Sequence, residues 1–320
     1  MFNLKLFIMD NNDINYNIPE EDAPSGKVAK YMDLRVDWAF KYIFSIKRNL
    51  LKFLNDILPQ DIYDIEYLSN AIPVRSEKDK RSSLDVICES SDGMFLVEMQ
   101  QEPETDFDDR LAYYTSSLIG RQVKRGDRVY KVNRVYVLCV ARFIRHHSPN
   151  TPKDKVLFRY EFMETETGEG YQGSRISYFF LELARFRQKD WNKIAEIQER
   201  WCYLFKNMHT FADGTPLPRD LHGFDDIVAD AKVDGLSNDE KNDYQDAMIN
   251  AHKLLSVTIA ARDEGIVVGR YSGRLEGRKE GRQESKMDIA RNMLAKGISA
   301  DVVSECTGLS VEEVQALAAK

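Results

Sequence analysis

Apolar residues near the start of the chain follow a helical spacing and then give way to short apolar runs. The spacing predicts one helix over residues 34–57, which ends before Pro59. The apolar positions of this helix are Val36, Phe40, Ile43, Leu50, Leu54 and Ile57. A short strand is predicted around residues 65–74. The segment LDVICESSDGMFLVEMQ, residues 84–100, then predicts two strands joined by a turn.

The next hundred residues continue this alternation. Residues 103–126 predict a second helix, with acidic residues at its start and Lys-Arg-Gly at its end, as the helix dipole favours. The apolar run RVYVLCVARF predicts a buried strand. Two more strands are predicted over 156–164 and 176–183, and an amphipathic helix over 194–208. An order of helix, strands, helix and strand predicts an α/β fold.

The C-terminal part of the chain carries a four-residue repeat. Glycine recurs at 265, 269, 273, 277 and 281, and arginine follows four of these glycines. Because each glycine weakens a helix by about 1 kcal/mol relative to alanine, a solvated linker is one interpretation. A helix packed closely on another helix and a basic spacer that contacts phosphate are the others.

Small helices are predicted after the repeat. Gly297 is a helix stop, and Ser310 and Glu313 have the spacing of a capping box. The order of short helices and turns is similar to that of small helix–turn–helix DNA-binding units. The segment is acidic, however, so oligomerisation or docking is an equal alternative to DNA reading.

Composition narrows the class of protein. With 43% apolar and 11% aromatic residues, the 320-residue chain can bury a sizeable core, which excludes a disordered chain. A formal charge of −7 argues against a generally basic protein that coats nucleic acid, so DNA contacts would come from local patches. The four cysteines lie far apart and form no C-x-x-C pair, as is typical of free thiols in a reducing compartment.

The N-terminal segment and the hydropathy pattern bear on localisation. Residues 1–28 predict a loosely held tail without the apolar region and cleavage site of a signal peptide. No run of 18 apolar residues occurs, so no membrane span is expected. We expect a cytoplasmic protein without a membrane partner.

The predicted hairpin carries polar side chains where a core strand would carry valine or isoleucine. Since side chains alternate along a strand, Glu98 and Gln100 share one face. An even-length turn at Ser91-Asp92, or a four-residue loop, places Asp85 directly across from Glu98. A turn at Asp92-Gly93, which is the commoner hairpin signal, places Asp85 across from Gln100.

Two carboxylates that face each other on neighbouring strands repel unless something neutralises them. A divalent cation does so, and Mg²⁺ uses one or two carboxylates together with water and substrate phosphate. The nearby amide of Gln100 can orient water or contact phosphate. The alternative is a solvated face, or pairing of the acids with Arg75, Lys78, Lys80 or Arg81. The pattern alone leaves both interpretations open.

Four motifs in order resemble one known family. They are DWAFK with Asp37 and Lys41, LDV with Asp85, VEMQ with Glu98 and Gln100, and RLAYY with Arg110, Tyr113 and Tyr114. This series, over roughly residues 30–210, resembles the PD-(D/E)XK nuclease-like family of recombination-promoting nucleases and transposases. The resemblance implies a restriction-endonuclease-like α/β core, with a helix, a mixed sheet with a central hairpin, a helix and a strand, followed by a helical C-terminal extension.

The same resemblance implies roles for individual residues. Asp85 and Glu98 correspond to the metal-binding acids, with Mg²⁺ or Mn²⁺ as the cofactor. Gln100 completes the catalytic set at the position where the wider superfamily has lysine, but a neutral amide cannot supply the charge of lysine.

Residues on the two helices are expected to support this set. Arg110, Tyr113 and Tyr114 would contact DNA; alternatively the tyrosines are core and Arg110 pairs with Asp106. Asp37 and Lys41 would be accessory residues, or only an i,i+4 salt bridge.

Together these features predict a Mg²⁺-dependent DNA endonuclease that serves DNA mobility or recombination. The alternative is an inactive nuclease fold that binds DNA or another partner. We expect DNA as the partner and a homo-oligomer formed through the C-terminal helices. The predicted domains are 1–28 as the tail, 29–212 as the nuclease-like domain, 213–261 as an acidic helical segment, 262–286 as a Gly/Arg spacer or helix, and 287–320 as a helix–turn–helix-like unit.

One further candidate is the pair His146-His147, which follows a predicted strand. Two adjacent histidines without a third ligand at metal spacing are more often part of a solvated loop. We therefore expect a solvated loop at this position.

Overall fold

A computed structural model of the chain describes residues 29–69, 85–123, 126, 128–145, 147–211 and 215–318. The chain divides into two compact units, residues 1–252 and residues 253–320.

The first unit is built on a mixed six-stranded sheet. Its strands are β1 (Glu66–Tyr67), β2 (Val86–Ser90), β3 (Gly93–Gln100), β4 (Val135–Ala141), β5 (Leu157–Tyr160) and β6 (Ile176–Glu182). The order across the sheet is β1-β2-β3-β4-β6-β5. The three central strands β3, β4 and β6 are parallel, and the other neighbours are antiparallel. The predicted hairpin is β2 and β3. Of the strand predicted around 65–74, the structure shows only β1, and residues 70–84 lie outside the described part of the chain.

Helices flank the sheet and continue after it. They are α1 (Asp37–Ser45), α2 (Lys47–Ile57), α3 (Phe107–Arg121), α4 (Ile197–Asn207), α5 (Asp225–Asp230), α6 (Asn238–Ala295), α7 (Ala300–Thr307) and α8 (Val311–Ala318). The predicted α/β restriction-endonuclease-like fold with a helical C-terminal extension is confirmed.

The single helix predicted over residues 34–57 is wrong, because the structure has two helices with a break between them. Ile46 is extended at the break, with φ −86° and ψ 110°. The side chain of Asn49 donates to the carbonyl of Ile43, 3.3 Å away, and its backbone N–H donates to the carbonyl of Ile46. Because these bonds satisfy carbonyls that the break would leave unpaired, the chain can turn without losing hydrogen bonds.

The sheet separates two hydrophobic clusters, as the alternation of side chains requires. On one side α1, α2 and α4 bury Phe40, Phe53 and Trp201 against the sheet. On the other side α3 covers the sheet with Leu111 and Leu118. We call this second side the α3 face.

The first cluster extends beyond residue 212. Phe224, Ile227, Tyr244 and Met248 belong to it, and the Tyr244 hydroxyl accepts a hydrogen bond from the backbone N–H of Asp33 at 2.8 Å. The boundary placed at residue 212 stays a prediction about domains, while the core of the first unit takes in the start of α6.

The second unit has a small core of its own. Four residues from the end of α6, from α7, from α8 and from the connection between α7 and α8 are buried together: Ala290, Val303, Val314 and Leu309. The Gly297 stop has φ +79°, after α6 ends at Ala295.

The predicted capping box begins the last helix. The backbone N–H of Ser310 donates to the Glu313 carboxylate at 2.8 Å, and the N–H of Glu313 donates to Ser310 Oγ at 3.1 Å. The capping box is therefore confirmed.

The Gly/Arg repeat lies within α6. All of its residues from 265 to 282 are exposed, and a Cβ atom added at any of its five glycines would meet no atom within 4 Å. Among the described residues, no helix has the length and apolar character that crossing a membrane requires. The cytoplasmic location stays a prediction.

Candidate functional site

The β2–β3 hairpin sets the geometry of the predicted acids. Ser90 pairs with Gly93 and Val86 pairs with Val97, so the turn is the two-residue loop Ser91-Asp92. This is the predicted loop that places Asp85 across from Glu98. Position 93, at the start of β3, requires glycine, because a Cβ atom there would lie 2.5 Å from the carbonyl oxygen of Arg134 on the neighbouring chain segment.

The three predicted site residues lie on the α3 face. Asp85 precedes Ile87 by two residues, and Glu98 and Gln100 follow Leu96 by two and four. Ile87 and Leu96 both belong to the α3-side cluster. The backbone N–H of Asp85 donates to the Glu98 carboxylate at 3.2 Å. The hairpin therefore brings Asp85 and Glu98 together beyond the end of the apolar cluster.

Asp85 is buried and held from two sides. The backbone N–H of Met99 donates to its Oδ2 at 2.8 Å, and Lys41 Nζ lies 3.1 Å from its Oδ1. Lys41 also contacts Asp37 at 2.9 Å. The i,i+4 salt bridge of α1 is therefore present, and through Lys41 it reaches the site.

The two acids are held at an electrostatic cost. Burial, and then the neighbouring Asp85 carboxylate, raise the pKa of Glu98 well above its ordinary value. Burial also raises the pKa of Asp85, although Lys41 and the Met99 N–H oppose that rise. Burial by itself would lower the pKa of Lys41, but Asp85 and Asp37 raise it above its ordinary value. The site thus contains one firmly charged lysine and two carboxyl groups that destabilise each other's charge.

Gln100 is buried and its amide group is engaged at both ends. Its Nε2 donates to the carbonyl of Glu102 at 2.7 Å, and its Oε1 accepts from Arg110 at 2.9 Å. Arg110 also pairs with Glu104 at 2.5 Å. The alternative pairing of Arg110 with Asp106 is wrong, since the Arg110 guanidinium contacts Glu104 and Gln100 instead.

The two adjacent tyrosines of α3, Tyr113 and Tyr114, differ in their exposure. Tyr114 is only 6% exposed and belongs to the apolar cluster between α3 and the sheet. The core alternative therefore describes Tyr114. Tyr113 is 48% exposed. A DNA contact of Tyr113 and Arg110 stays a prediction.

The solvated loop expected at His146-His147 is wrong for His147, and His146 lies outside the described residues. The ring of His147 stacks on Phe158 with centroids 3.9 Å apart, and its Nε2 lies 2.7 Å from the carboxylate of Glu182. Glu182 is fully buried and also accepts from Arg185 at 2.8 Å. Sequence reasoning missed this cluster, although a lone glutamate at the end of the apolar run ISYFFLEL was a signal that a buried partner exists.

The donor set suits a hard divalent cation. Asp85 and Glu98 supply two carboxylates, and Mg²⁺ needs one or two when phosphate and water complete its coordination. Among the described residues, no group of three or more histidine, cysteine, aspartate or glutamate side chains forms a metal cluster. Arg75, Lys78, Lys80 and Arg81, the other partners considered for the acids, lie outside the described residues. The two acids fit a cation that the substrate helps to bind.

Comparison with known families agrees with this arrangement. Residues 34–253 match a family model described as PD-(D/E)XK nuclease family transposase. Residues 283–319 match a model described as Rpn/YhgA-like nuclease family, C-terminal HTH domain. No curated protein and no solved structure gives a significant match to the chain. The family resemblance inferred from the motifs is confirmed, and domains of these two kinds support a nuclease or recombination-related role with DNA binding.

Proposed function

The chain belongs to the PD-(D/E)XK nuclease family of transposases, and on this premise we propose that it is a divalent-metal-dependent DNA endonuclease. The observation that carries the proposal is the pair Asp85 and Glu98, which face each other on one side of the sheet, with the pKa of Glu98 raised by burial and by Asp85. Carboxylates with perturbed pKa values in such a position are typical of a functional site. DNA mobility or recombination is the process we propose for it.

Asp85 and Glu98 would hold Mg²⁺ or Mn²⁺. A bound ion of this kind polarises the phosphoryl group and lowers the pKa of water. The chain prepares the acids for that role through the hydrogen bonds from the Met99 N–H to Asp85 and from the Asp85 N–H to Glu98. These bonds fix both carboxylates on rigid strands, so little ordering remains when an ion binds.

Lys41 supplies the positive charge that Gln100 cannot. Its Nζ lies 3.1 Å from Asp85, and its raised pKa keeps it charged at neutral pH. It comes from α1 and not from the hairpin strand, which is why the VEMQ motif does not contain it. We infer that Lys41 positions Asp85 and that its charge attracts the phosphate.

Gln100 links the acids to α3. Its amide is bonded to the Glu102 carbonyl and to Arg110, so the guanidinium group of Arg110 lies next to the metal-binding edge. We infer that Gln100 orients Arg110, and that Arg110 contacts a phosphate of the bound DNA. Arg110 is paired with Glu104 in the structure, so it would exchange that carboxylate for a phosphate when DNA binds.

The second candidate function is a DNA-binding protein built on an inactive nuclease core. The Lys41–Asp85 ion pair favours it, because a lysine already neutralises one of the two acids. The C-terminal match to a helix–turn–helix domain is compatible with both functions. A homo-oligomer formed through the C-terminal helices remains part of the proposal.

Cleavage of supercoiled plasmid by the purified full-length chain separates the two functions. We expect nicked or linear DNA with Mg²⁺ or Mn²⁺ and none with EDTA, together with restored cleavage when Mg²⁺ is added in excess of EDTA. Binding of the plasmid without cleavage under every metal condition would establish the second function and refute the first.

A further inference from the structure

A pocket of about 400 Å³ opens on the α3 face of the sheet, separate from the acids. It is lined by Asp108, Leu111, Arg145, Tyr160, Tyr178 and Phe180. Three of these six residues are aromatic, and one is a cation. The mechanism proposed above uses none of them.

The walls of the pocket suit a flat aromatic ligand. The Arg145 guanidinium lies over the Phe180 ring, 3.8 Å from its centroid, and is held there by Asp108 at 2.6 Å. Tyr160 stands against Phe180 edge to face, with centroids 5.7 Å apart and its ring 42% exposed. Nucleobases bind in such places because they stack on aromatic rings and on the plane of arginine.

A buried cluster supports the exposed wall. The hydroxyl of Tyr160 lies 3.5 Å from Nδ1 of His147, whose other ring nitrogen contacts the buried carboxylate of Glu182. His147 is itself stacked on Phe158. The edge-to-face contact with Phe180 holds the Tyr160 ring as well, so the ring is ordered before any ligand binds, which reduces the entropy lost on binding.

The sheet register places the pocket in line with the acids. Glu98 pairs with Cys139 on β4, and Cys139 pairs with Phe180 on β6. Two strand spacings separate Glu98 from Phe180, or about 10 Å.

We propose that this pocket binds one unstacked nucleobase of the DNA, on the face of the sheet that also carries Asp85 and Glu98. The inference rests on the proposed nuclease function and adds its substrate class. A paired base must leave its stack to enter the pocket, and this costs least for an unpaired nucleotide, so the preferred substrate contains an unpaired nucleotide. The Arg145 guanidinium contributes both its planar face and a positive charge near the adjoining phosphate.

The test uses two labelled duplexes that differ at one bulged position. One carries an unpaired thymine, and the other carries an abasic residue with the same backbone. Affinity is measured by fluorescence anisotropy with the full chain in EDTA, so that cleavage does not interfere. We expect the thymine bulge to bind about ten-fold more tightly, as loss of one base–aromatic stack predicts.

Variants of Tyr160 assign that preference to the pocket. Tyr160→Ala should reduce the ratio of the two affinities to about one, while Tyr160→Phe should keep it. Tyr171→Ala is the matched control, because Tyr171 is also exposed, at 66%, but does not line the pocket. Melting temperatures check that all variants are folded. Because Tyr160 is exposed, we expect its replacement to leave the melting temperature nearly unchanged.

The outcomes distinguish this inference from the nuclease proposal. Equal binding of the two duplexes by the unaltered chain, a preference that survives in Tyr160→Ala, or no DNA binding at all overturns the pocket inference. If the preference is present but Mg²⁺ never produces cleavage, the nuclease proposal fails and the base pocket stands. If cleavage occurs without the preference, the reverse holds.

Discussion

Replacing Glu98 by glutamine should make the metal-free protein more stable, not less. The change keeps the shape of the side chain and the oxygen that accepts the Asp85 N–H. It removes the charge of a carboxyl group whose pKa is raised well above its ordinary value by burial and by Asp85. In the folded protein that charge is unfavourable, so its loss relieves repulsion.

The sign and size follow from proton linkage. Because the folded state holds the Glu98 proton more tightly than the unfolded state, the unaltered chain loses stability as pH rises from about 4.5 through the raised pKa. Each unit of elevation costs about 1.4 kcal/mol. We therefore expect Glu98→Gln to equal the unaltered chain near pH 4 and to exceed it by about 1 kcal/mol or more at pH 8.

Mg²⁺ should stabilise the unaltered chain more than the Glu98→Gln variant. Mg²⁺ at about fifteen times its dissociation constant should stabilise the unaltered chain by roughly 1.6 kcal/mol, while the glutamine variant gains much less. The assay is urea unfolding followed by tryptophan fluorescence, in EDTA and in Mg²⁺. All three tryptophans, Trp38, Trp191 and Trp201, lie in the first unit, so the signal reports on the domain that holds the site.

Glu89→Gln is the control, because Glu89 lies on the same hairpin and is exposed. It should change neither the stability in EDTA nor the response to Mg²⁺. A Glu98→Gln variant that is clearly less stable in EDTA and keeps the full Mg²⁺ response would refute the reasoning. Glu98 would then be a structural residue with a favourable partner.

Three further predictions test other parts of the molecule. Asp33→Ala should lower the free energy of unfolding in urea by about 3–5 kcal/mol, since the buried Arg35 guanidinium loses its carboxylate partner. Although burial opposes this, Arg35 lowers the pKa of Asp33 to about 2, so about 2 kcal/mol of that stability is present above pH 3.8 and is lost as pH falls toward 2. Lys41→Met should reduce the single-turnover cleavage rate at least about ten-fold, while Lys41→Arg should keep part of the rate, as expected for a charge that stabilises the transition state. Equal cleavage rates for Lys41→Met and the unaltered chain would remove Lys41 from the mechanism. A chain that ends at residue 282 should keep the urea midpoint of the first unit, because the last helices have their own core. It should bind DNA more weakly, and its affinity should depend less steeply on salt concentration. Unchanged DNA binding would leave the C-terminal unit without a DNA role.

The parts of the site that could be predicted depend on local rules. The period of two along a strand places Glu98 and Gln100 on one face, and an even turn adds Asp85. The capping box at Ser310 and the glycine stop at Gly297 are equally local signals. Such features are set by residues within a few positions of each other, so one sequence is enough to predict them.

The parts that were wrong or were left open depend on distant residues. Helical spacing runs on through Ile46, so the break between α1 and α2 left no mark in the pattern. The choice of turn depends on Gly93 passing close to the Arg134 carbonyl, a contact between strands. His147 and Glu182 are 35 positions apart, and only the fold brings them together. Lys41 reaches Asp85 for the same reason, whereas its i,i+4 pair with Asp37 could be predicted from local spacing.

The central claim is that the Asp85–Glu98 pair carries out metal-dependent DNA cleavage. Its most direct measurement is the single-turnover rate of plasmid nicking in Mg²⁺ for Asp85→Asn beside Asp92→Asn, an exposed carboxylate in the turn of the same hairpin. We predict that Asp85→Asn abolishes nicking while the protein stays folded, and that Asp92→Asn nicks at the rate of the unaltered chain. Equal nicking by the unaltered chain and Asp85→Asn would contradict the account, because the activity would then come from another site or another protein.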